Sequence, residues 1–315
     1  MKAVVTGGAG FIGSALVRHL LVAGVDEVVA FDNLNSGHRH NLAEVADRIK
    51  FVEGDIRRGD DVAEVFAGAD YVFHLAAIPS VPRSIKDPEP SHDVNINGTW
   101  VVLREAQKAG VKRVVYAASS SAYGDTEVLP KVETMKPNPK SPYAAQKLMG
   151  EHYCSVFHSC FGLETVALRF FNVFGPRQDP SSAYSGVLSL FMKSLITHES
   201  PTIFGDGEQS RDFTYVEDVA ALVWKAAQAP AVSGKVFNAG NGNRYTLNET
   251  WALLQKIAGV ELAANYGPPR AGDVKHSQAD TTSAKALLGH DPQFTFEEGL
   301  RRTFAWYRQS LGGAQ

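Results

Sequence analysis

One stretch, Thr6-Gly7-Gly8-Ala9-Gly10-Phe11-Ile12-Gly13, limits what this chain can fold into more than any other. It follows the apolar, β-rich run Lys2–Thr6. It precedes Ser14–Ala23, where Ala15, Leu16, His19, Leu20 and Ala23 recur at helical spacing. Glycines at 7, 10 and 13 give the pattern G-x-x-G-x-x-G. Glycine permits a tight turn and lets backbone come close to a pyrophosphate. The helix start then offers free N–H groups and a positive dipole end to that anion. Glycines alone read equally well as a structural turn; a strand before and a helix after make them a dinucleotide fingerprint. Gly7, Gly10, Phe11, Ile12 and Gly13 are therefore the expected phosphate-loop contacts. The second strand, Glu27–Asp32, ends in Asp32, 19 residues beyond Gly13. A carboxylate at that distance accepts from the adenine-ribose hydroxyls. Ionised, it repels the 2′-phosphate of NADP, so the expected cofactor is NAD.

The rest of the first half extends this pattern. Ile49–Glu53, Tyr71–Leu75 and Arg113–Ala117 read as further strands, with helical segments between most of them. That alternation predicts βαβ units and a parallel sheet, because parallel strands need crossover connections. The strands are nearly continuous apolar runs, as a sheet covered on both faces requires. The second half is richer in Pro and Gly (Gly175-Pro176, Pro180, Pro201, Gly205–Gly207, Gly267–Pro269, Gly272), which reads as the loops of a smaller region. Val216–Ala229 reads as a helix that returns to the sheet. The expected fold is thus α/β, a doubly wound parallel (Rossmann) sheet with a smaller, interleaved α/β domain. Residues 1–170 form the first domain, with 212–240 packing back on it. Residues 171–211 and 241–315 form the second.

Composition excludes several function classes. Lys and Arg total 31 against 34 Asp and Glu, a net charge of −3, so no basic surplus exists to bind nucleic acid. No apolar run approaches the roughly 18 residues of a membrane span, and no membrane partner is expected. Met1-Lys2 leads directly into a strand, so no signal peptide is expected. Two cysteines, Cys154 and Cys160, make neither a disulfide framework nor a metal site, and suit a reducing, cytoplasmic compartment.

Further residues read as chemistry once the fingerprint is in place. Asp55, after the third strand, could accept from the adenine amino group, with Ile56 packing on the ring. Leu75, Ala76 and Ala77 follow the fourth strand, where small residues let a cofactor pass close by. His74 reads as a packed strand residue. Tyr143 and Lys147 stand at i and i+4, on one helix face. Ser141 is a candidate cap and Pro142 a favourable first residue. A tyrosine is a poor base at neutral pH, and a neighbouring ammonium is expected to lower its pKa into the working range. Ala118-Ser119-Ser120-Ser121-Ala122-Tyr123-Gly124 follows the fifth strand and supplies hydroxyls at the cleft end of the sheet.

Together these motifs make the chain resemble the extended short-chain dehydrogenase/reductase family, in its nucleotide-sugar epimerase and dehydratase branch, and most of all the UDP-hexose 4-epimerases. The resemblance runs over most of the chain. It implies tightly held NAD, a catalytic Ser119, Tyr143 as general base and Lys147 as its partner. It places Asn33, Asn35, Ser36, Gly37, Asn95 and Phe171 among the cofactor contacts. The segment Arg169-Phe170-Phe171-Asn172-Val173-Phe174-Gly175 matches the family's R-x-F-N-V-x-G, which implies that Asn172 binds the diphosphate sugar. Ile203 and Phe204 are implied beside the uracil, Arg211 and Arg270 on the pyrophosphate, and Asp273 toward the uridine ribose. Ser119 and Ser120 are implied at the sugar. Gln178-Asp179-Pro180…Ala183-Tyr184 resembles the loop of the N-acetylhexosamine enzymes.

The reaction is narrowed by what is missing. Related dehydratases carry Thr-Asp-Glu where this chain has Ser119-Ser120-Ser121, so elimination loses its expected acids. The resemblance therefore implies 4-epimerisation of a UDP-hexose. Ser277 stands where the family's choice of a bulky or small residue follows the sugar. A small one leaves room for a 2-acetamido group, favouring UDP-GlcNAc/UDP-GalNAc with or beside UDP-Glc/UDP-Gal. UDP-glucuronate is an alternative, with Arg83, Ser84 and Arg177 as candidate donors to its carboxylate. A nucleotide-sugar dehydratase or dehydrogenase, and a non-catalytic NAD-binding protein, are the further alternatives. A homodimer is a family expectation, through helices around Asn97–Ala109 and Tyr143–Lys147.

Overall fold

The structure is a computed structural model that describes residues 1–179, 186–269 and 274–312. In chain order, the first half runs β1 (Lys2–Thr6), α1 (Phe11–Val22), β2 (Glu27–Asp32), β3 (Lys50–Glu53), α2 (Gly59–Phe66), β4 (Tyr71–His74), α3 (Val81–Lys86) and α4 (Pro88–His92). A π-helical turn, Asp93–Gly98, leads into α5 (Thr99–Lys108), then β5 (Arg113–Ser119), α6 (Pro142–Phe161) and β6 (Glu164–Phe170). Boundaries differ from the expectation by a few residues. Helix α1 starts at Phe11, directly on the last turn of the glycine loop. Strand β5 continues to Ser119, which puts that hydroxyl on the strand's final residue. Short 3₁₀ turns over Arg39–Arg48, not an α-helix, join β2 to β3.

The second half adds β7 (Asn172–Phe174), α7 (Val187–Thr197), β8 (Thr202–Phe204), β9 (Ser210–Arg211), β10 (Phe213–Tyr215), α8 (Val216–Gln228) and β11 (Lys235–Ala239). It closes with β12 (Tyr245–Thr246), α9 (Leu247–Ala258), β13 (Asn265–Gly267), α10 (Thr282–Leu288) and α11 (Phe296–Gly312).

Seven strands form one sheet in the order β11-β6-β5-β4-β1-β2-β3, every pair parallel. Alternate strand residues feed the two faces. Ala3, Val5, Ala30 and Phe73 pack under α1 and α8, whereas Val4, Val29, Val72 and Val114 pack under α2, α5 and α6. Each fully buried aliphatic or Phe side chain contributes about 1.5–3 kcal/mol, so the two clusters hold the layers together. The order of strands reverses between β1 and β4. That switch point is where an open parallel sheet leaves a cleft at its carboxyl edge. Here the edge carries Gly7 after β1 and Leu75 after β4.

Outside the sheet, three two-stranded pairs, β7 with β10, β8 with β13 and β9 with β12, surround a third core. Phe174, Phe213, Tyr215, Trp251 and Phe296 fill it, with α7, α9 and α11 packed around them. Asp212 ties this region to the sheet's end. Fully buried, it accepts from the N–H groups of Asn241 (2.8 Å), Gly242 (2.9 Å) and Ala279 (3.0 Å). Burial pushes its carboxyl up to about 6 against the pull of those three donors.

Candidate active site

At the β1/β4 switch point lies a cavity of about 570 Å³. Its floor is the glycine loop. Gly7 has φ +71°, and a Cβ there would lie 2.8 Å from the backbone nitrogen of Ala76. At Gly13 a Cβ would stand 2.0 Å from the carbonyl oxygen of Gly7. Any side chain at either position breaks the loop or fills the space above it. Helix α1 has Gly10 as its N-cap with no side-chain hydrogen bond to the first turn. Its N–H groups are left for an anion.

Asp32, 8% exposed at the end of β2, shapes the next section of wall. Its Oδ2 accepts from Ala9 N (3.0 Å) and its Oδ1 from Leu34 N (2.8 Å). Burial raises its pKa, and the backbone donors of Leu34 and Ala9 oppose the rise. Gly37 allows the following turn to fold over it, since a Cβ there would be 2.8 Å from Asp32 Oδ2. These are features of a groove for a ribose and a pyrophosphate: a bare helix start, glycines at closest approach, and a carboxylate fixed by backbone donors. The residues present therefore fit a dinucleotide.

The far end of the cavity holds the proton-transfer residues. Helix α6 starts where sequence places it, with Pro142 as its first residue and Ser141 Oγ accepting from Ala144 N at 3.2 Å. It ends at Gly162, whose φ of +70° suits glycine. Lys147 is 4% exposed, and its ammonium donates to the carbonyl of Ala117 at 2.8 Å. Burial depresses its pKa to about 8, while Cys154 and Glu151 work against that. Ser119 Oγ accepts from Ser121 N (3.2 Å) and from Ser121 Oγ (2.8 Å). Its hydroxyl also draws the Tyr143 pKa down.

In the protein alone the lowering expected of Lys147 on Tyr143 does not show: burial pushes the phenol up to about 12, with Ser119 opposing it. Lys147 directs its ammonium at the Ala117 carbonyl, so phenolate chemistry at Tyr143 calls on a further positive charge beside that of Lys147.

Most residues expected from sequence line this one cavity. Gly7, Gly10, Phe11, Ile12, Gly13, Asp32, Asn33, Asn35, Ser36, Gly37, Ile56, Leu75, Ala76, Ala77, Ser119, Tyr143, Lys147, Phe171 and Asn172 are on its wall. Others are not. The oxygens of Asp55 are taken by four donors, from Asn33 and from the backbone and guanidinium of Arg57. The Arg57 bond leads in holding its carboxyl down at about 2. Asn95, 1% exposed, uses its amide on both backbone groups of Ile78 and on Gln146. It braces the wall from behind and does not face it. Ser120 starts the 3₁₀ turn behind Ser119. Ile203 is in the third core, Phe204 ends β8, Arg211 donates to the carbonyls of Ser210 and Lys275, and Ser277 N donates to Ser210 O. All four stand off the cavity. Arg270, Asp273, Pro180, Ala183 and Tyr184 lie outside the described residues. Of the candidate carboxylate donors, Arg83 is on the wall, whereas Arg177 pairs with Glu44 at 2.7 Å. His74 is buried between Thr6 and Thr99 (2.8 and 3.0 Å), a packed strand residue as read.

Sequence reading missed the role of the short helix α3. Ser80 caps it, accepting from Arg83 N at 3.1 Å, and both residues reach the wall. Ser84, fully buried, donates to Val81 O (2.8 Å) and accepts from Tyr143 N (3.1 Å). It thereby satisfies a first-turn donor of α6 from another element. The signal was present as Ser80 with Pro82 two residues on, a helix start directly after a cleft-edge strand. Phe31, Ile78, Val187 and Leu188 also line the cavity. Nothing in their apolar character separates them from core.

A sequence model of the NAD-dependent epimerase/dehydratase family matches residues 3–240. The UDP-glucose 4-epimerase of Mycolicibacterium smegmatis is 39% identical over 98% of this chain and 99% of its own. Among solved structures, the UDP-glucose 4-epimerase of Thermotoga maritima, determined with UDP-glucose, superposes with a TM-score of 0.94 at 39% identity, covering 99% of this chain and 100% of that one. The UDP-N-acetylglucosamine 4-epimerase of Methanobrevibacter ruminantium, in complex with UDP-N-acetylmuramic acid, also gives 0.94, at 37% identity and 98% coverage of both chains. The chain belongs to the NAD-dependent epimerase/dehydratase family, within the extended short-chain dehydrogenases/reductases.

Proposed function

We propose that the protein interconverts the C4 epimers of a UDP-hexose, UDP-GlcNAc/UDP-GalNAc or UDP-Glc/UDP-Gal. The observation that carries this reading is a single cavity joining a dinucleotide groove to Ser119, Tyr143 and Lys147. The relatives, named 4-epimerases along their whole length, support it.

Gly7, Gly10, Gly13 and the start of α1 hold the pyrophosphate of NAD, and Asp32 its adenine ribose. Ile56 packs against the adenine. NAD, when bound, supplies a hydride acceptor and a positive charge. Tyr143, as phenolate, takes the proton of the sugar's 4-hydroxyl and later returns it, with Ser119 bridging phenol and sugar. Lys147, its ammonium hydrogen-bonded to Ala117 O, stabilises the phenolate together with the cofactor's charge. Asn172, on the cavity wall, anchors the diphosphate. A firmly held nucleotide and a loosely held hexose allow the 4-keto sugar to present either face. Serines at 120 and 121, where dehydratases carry acids, leave elimination without its proton donors.

A second reading, a UDP-glucuronate 4-epimerase, is favoured by one observation: the Arg83 guanidinium lies on the wall with no ion-pair partner among the described residues. The functional unit in this proposal is a cytoplasmic homodimer. Trp100 and Phe161 are 38% and 50% exposed across α5 and α6, with the half-buried Tyr153 and the buried Phe157 packed against them. A second copy suits that face.

The test is proton NMR of the purified protein, without added cofactor, on UDP-glucose, UDP-GlcNAc and UDP-glucuronate. An equilibrium pair of C4 epimers from either of the first two is the expected result. Epimers from UDP-glucuronate alone select the second reading. A keto-deoxy sugar, or turnover only with stoichiometric NAD, contradicts both.

A further inference from the structure

We infer that Tyr116 is a positioning residue that holds the Lys147 ammonium through the face of its ring, from outside the cavity. Tyr116 is 1% exposed on β5 and does not reach the wall. Lys147 Nζ stands 5.0 Å from its ring centroid and 2.8 Å from the carbonyl of the next residue, Ala117. The ammonium is therefore gripped by two adjacent positions of one strand, one offering a carbonyl and the other a π face. A desolvated cation over an aromatic face is stabilised more than an exposed one.

The chain is built to bring that ring close. A Cβ at position 150 would lie 2.2 Å from the Tyr116 hydroxyl and 2.3 Å from the ring carbon that bears it. Only glycine at 150 lets α6 settle onto β5 at this height. The hydroxyl itself is spent weakly, donating to Lys147 O at 3.4 Å.

The other groups around Lys147 do not substitute for the ring. On α6, Glu151 is paired with Arg169 of β6 at 2.8 Å, and Cys154 is a buried thiol whose pKa burial raises. From β4, His74 is held neutral by burial. From β5 and α6, Ser119 and Tyr143 offer neutral hydroxyls, burial holding the Tyr143 pKa up, and Arg83 of α3 adds only like charge to the shared cavity.

This inference rests on the proposed role of Lys147 as the phenolate's partner, and its test separates the two. The holoenzyme is labelled with [ζ-15N]lysine, and the Lys147 resonance is assigned by its loss in Lys147→Met. Its titration is compared in wild type, in Tyr116→Phe, and in a variant carrying 3,4,5-trifluorophenylalanine at 116. The last keeps the ring's shape and weakens its negative face. Tyr116→Phe should titrate as wild type, and the fluorinated ring should lower the midpoint by about half a pH unit or more. An unmoved midpoint under fluorination overturns the inference, as does an equal shift in Tyr116→Phe, which would assign the hold to the hydroxyl. The alkaline limb of UDP-glucose epimerisation is recorded in parallel. If the NMR midpoint moves and the limb stays, the grip on Lys147 stands and its proposed catalytic role fails.

Discussion

At position 13 a methyl group would stand 2.0 Å from a backbone oxygen, so the glycine is there for the loop's closure rather than for flexibility. Gly13→Ala should yield protein that retains less than a tenth as much NAD, measured by the cofactor released on acid denaturation. Tyr143→Phe tests the other end of the cavity. It removes the group proposed to exchange a proton with the 4-hydroxyl, so kcat should fall by about a hundredfold or more. UDP affinity by calorimetry should stay within a few-fold. His74 gives a prediction on stability. Burial lowers its pKa from 6.5 to about 3, so the folded state binds fewer protons than the unfolded state below pH 6.5. The stability it contributes is full above pH 6.5 and is lost as pH falls toward 3. The melting temperature should drop between pH 6.5 and 5, and His74→Gln should flatten that drop. A slope unchanged by the substitution would contradict the assignment of His74 as a buried neutral group.

At the scale of elements, the site depends on how α6 is seated. Ser84 secures its first turn through Tyr143 N, and Gly150 sets its distance from β5. Ser84→Ala leaves a buried donor unsatisfied, a cost of about 1–3 kcal/mol. It should lower kcat more than it raises KM, because Tyr143 moves while the nucleotide contacts remain; an equal change in both would contradict this. The contrast with what the sequence revealed follows from the same geometry. Local features were legible: the strand-glycine-helix junction, Asp32 at a strand end, and the Ser141-Pro142 start of α6 each depend on neighbours within a few residues. Contacts between distant elements were not. Ser84 on Tyr143, Asn95 on Ile78, and Tyr116 under Lys147 leave no periodic trace, because their partners are 17 to 59 residues away. Spacing on a helix face was visible, but the Ala117 carbonyl that takes the ammonium was not. Ile203, Phe204, Arg211 and Ser277 stand off the cavity in this structure, so a resemblance in motif located their segments without locating their side chains.

Two seams hold the whole molecule together, and one face of it leaves aromatic rings exposed. The first seam is the doubly wound sheet, extended to its seventh strand by β11 from the second half. The second is Asp212, whose carboxylate gathers three N–H groups from the segments around Asn241 and Ala279. Asp212→Ala should cost about 3 kcal/mol or more in urea unfolding, since each orphaned donor costs about 1–3. The aromatic face of α5 and α6 predicts self-association. Light scattering should give twice the mass of one chain, and Trp100→Glu with Phe161→Glu should give a monomer. A wild-type monomer at micromolar concentration would contradict the dimer. The account as a whole rests on oxidation and reduction of the same carbon within one cavity. Its most direct test is conversion of UDP-[4-²H]glucose, with deuterium followed by NMR. The account predicts UDP-galactose that keeps its deuterium at C4. Loss of deuterium to solvent, in an epimer that does form, would contradict it.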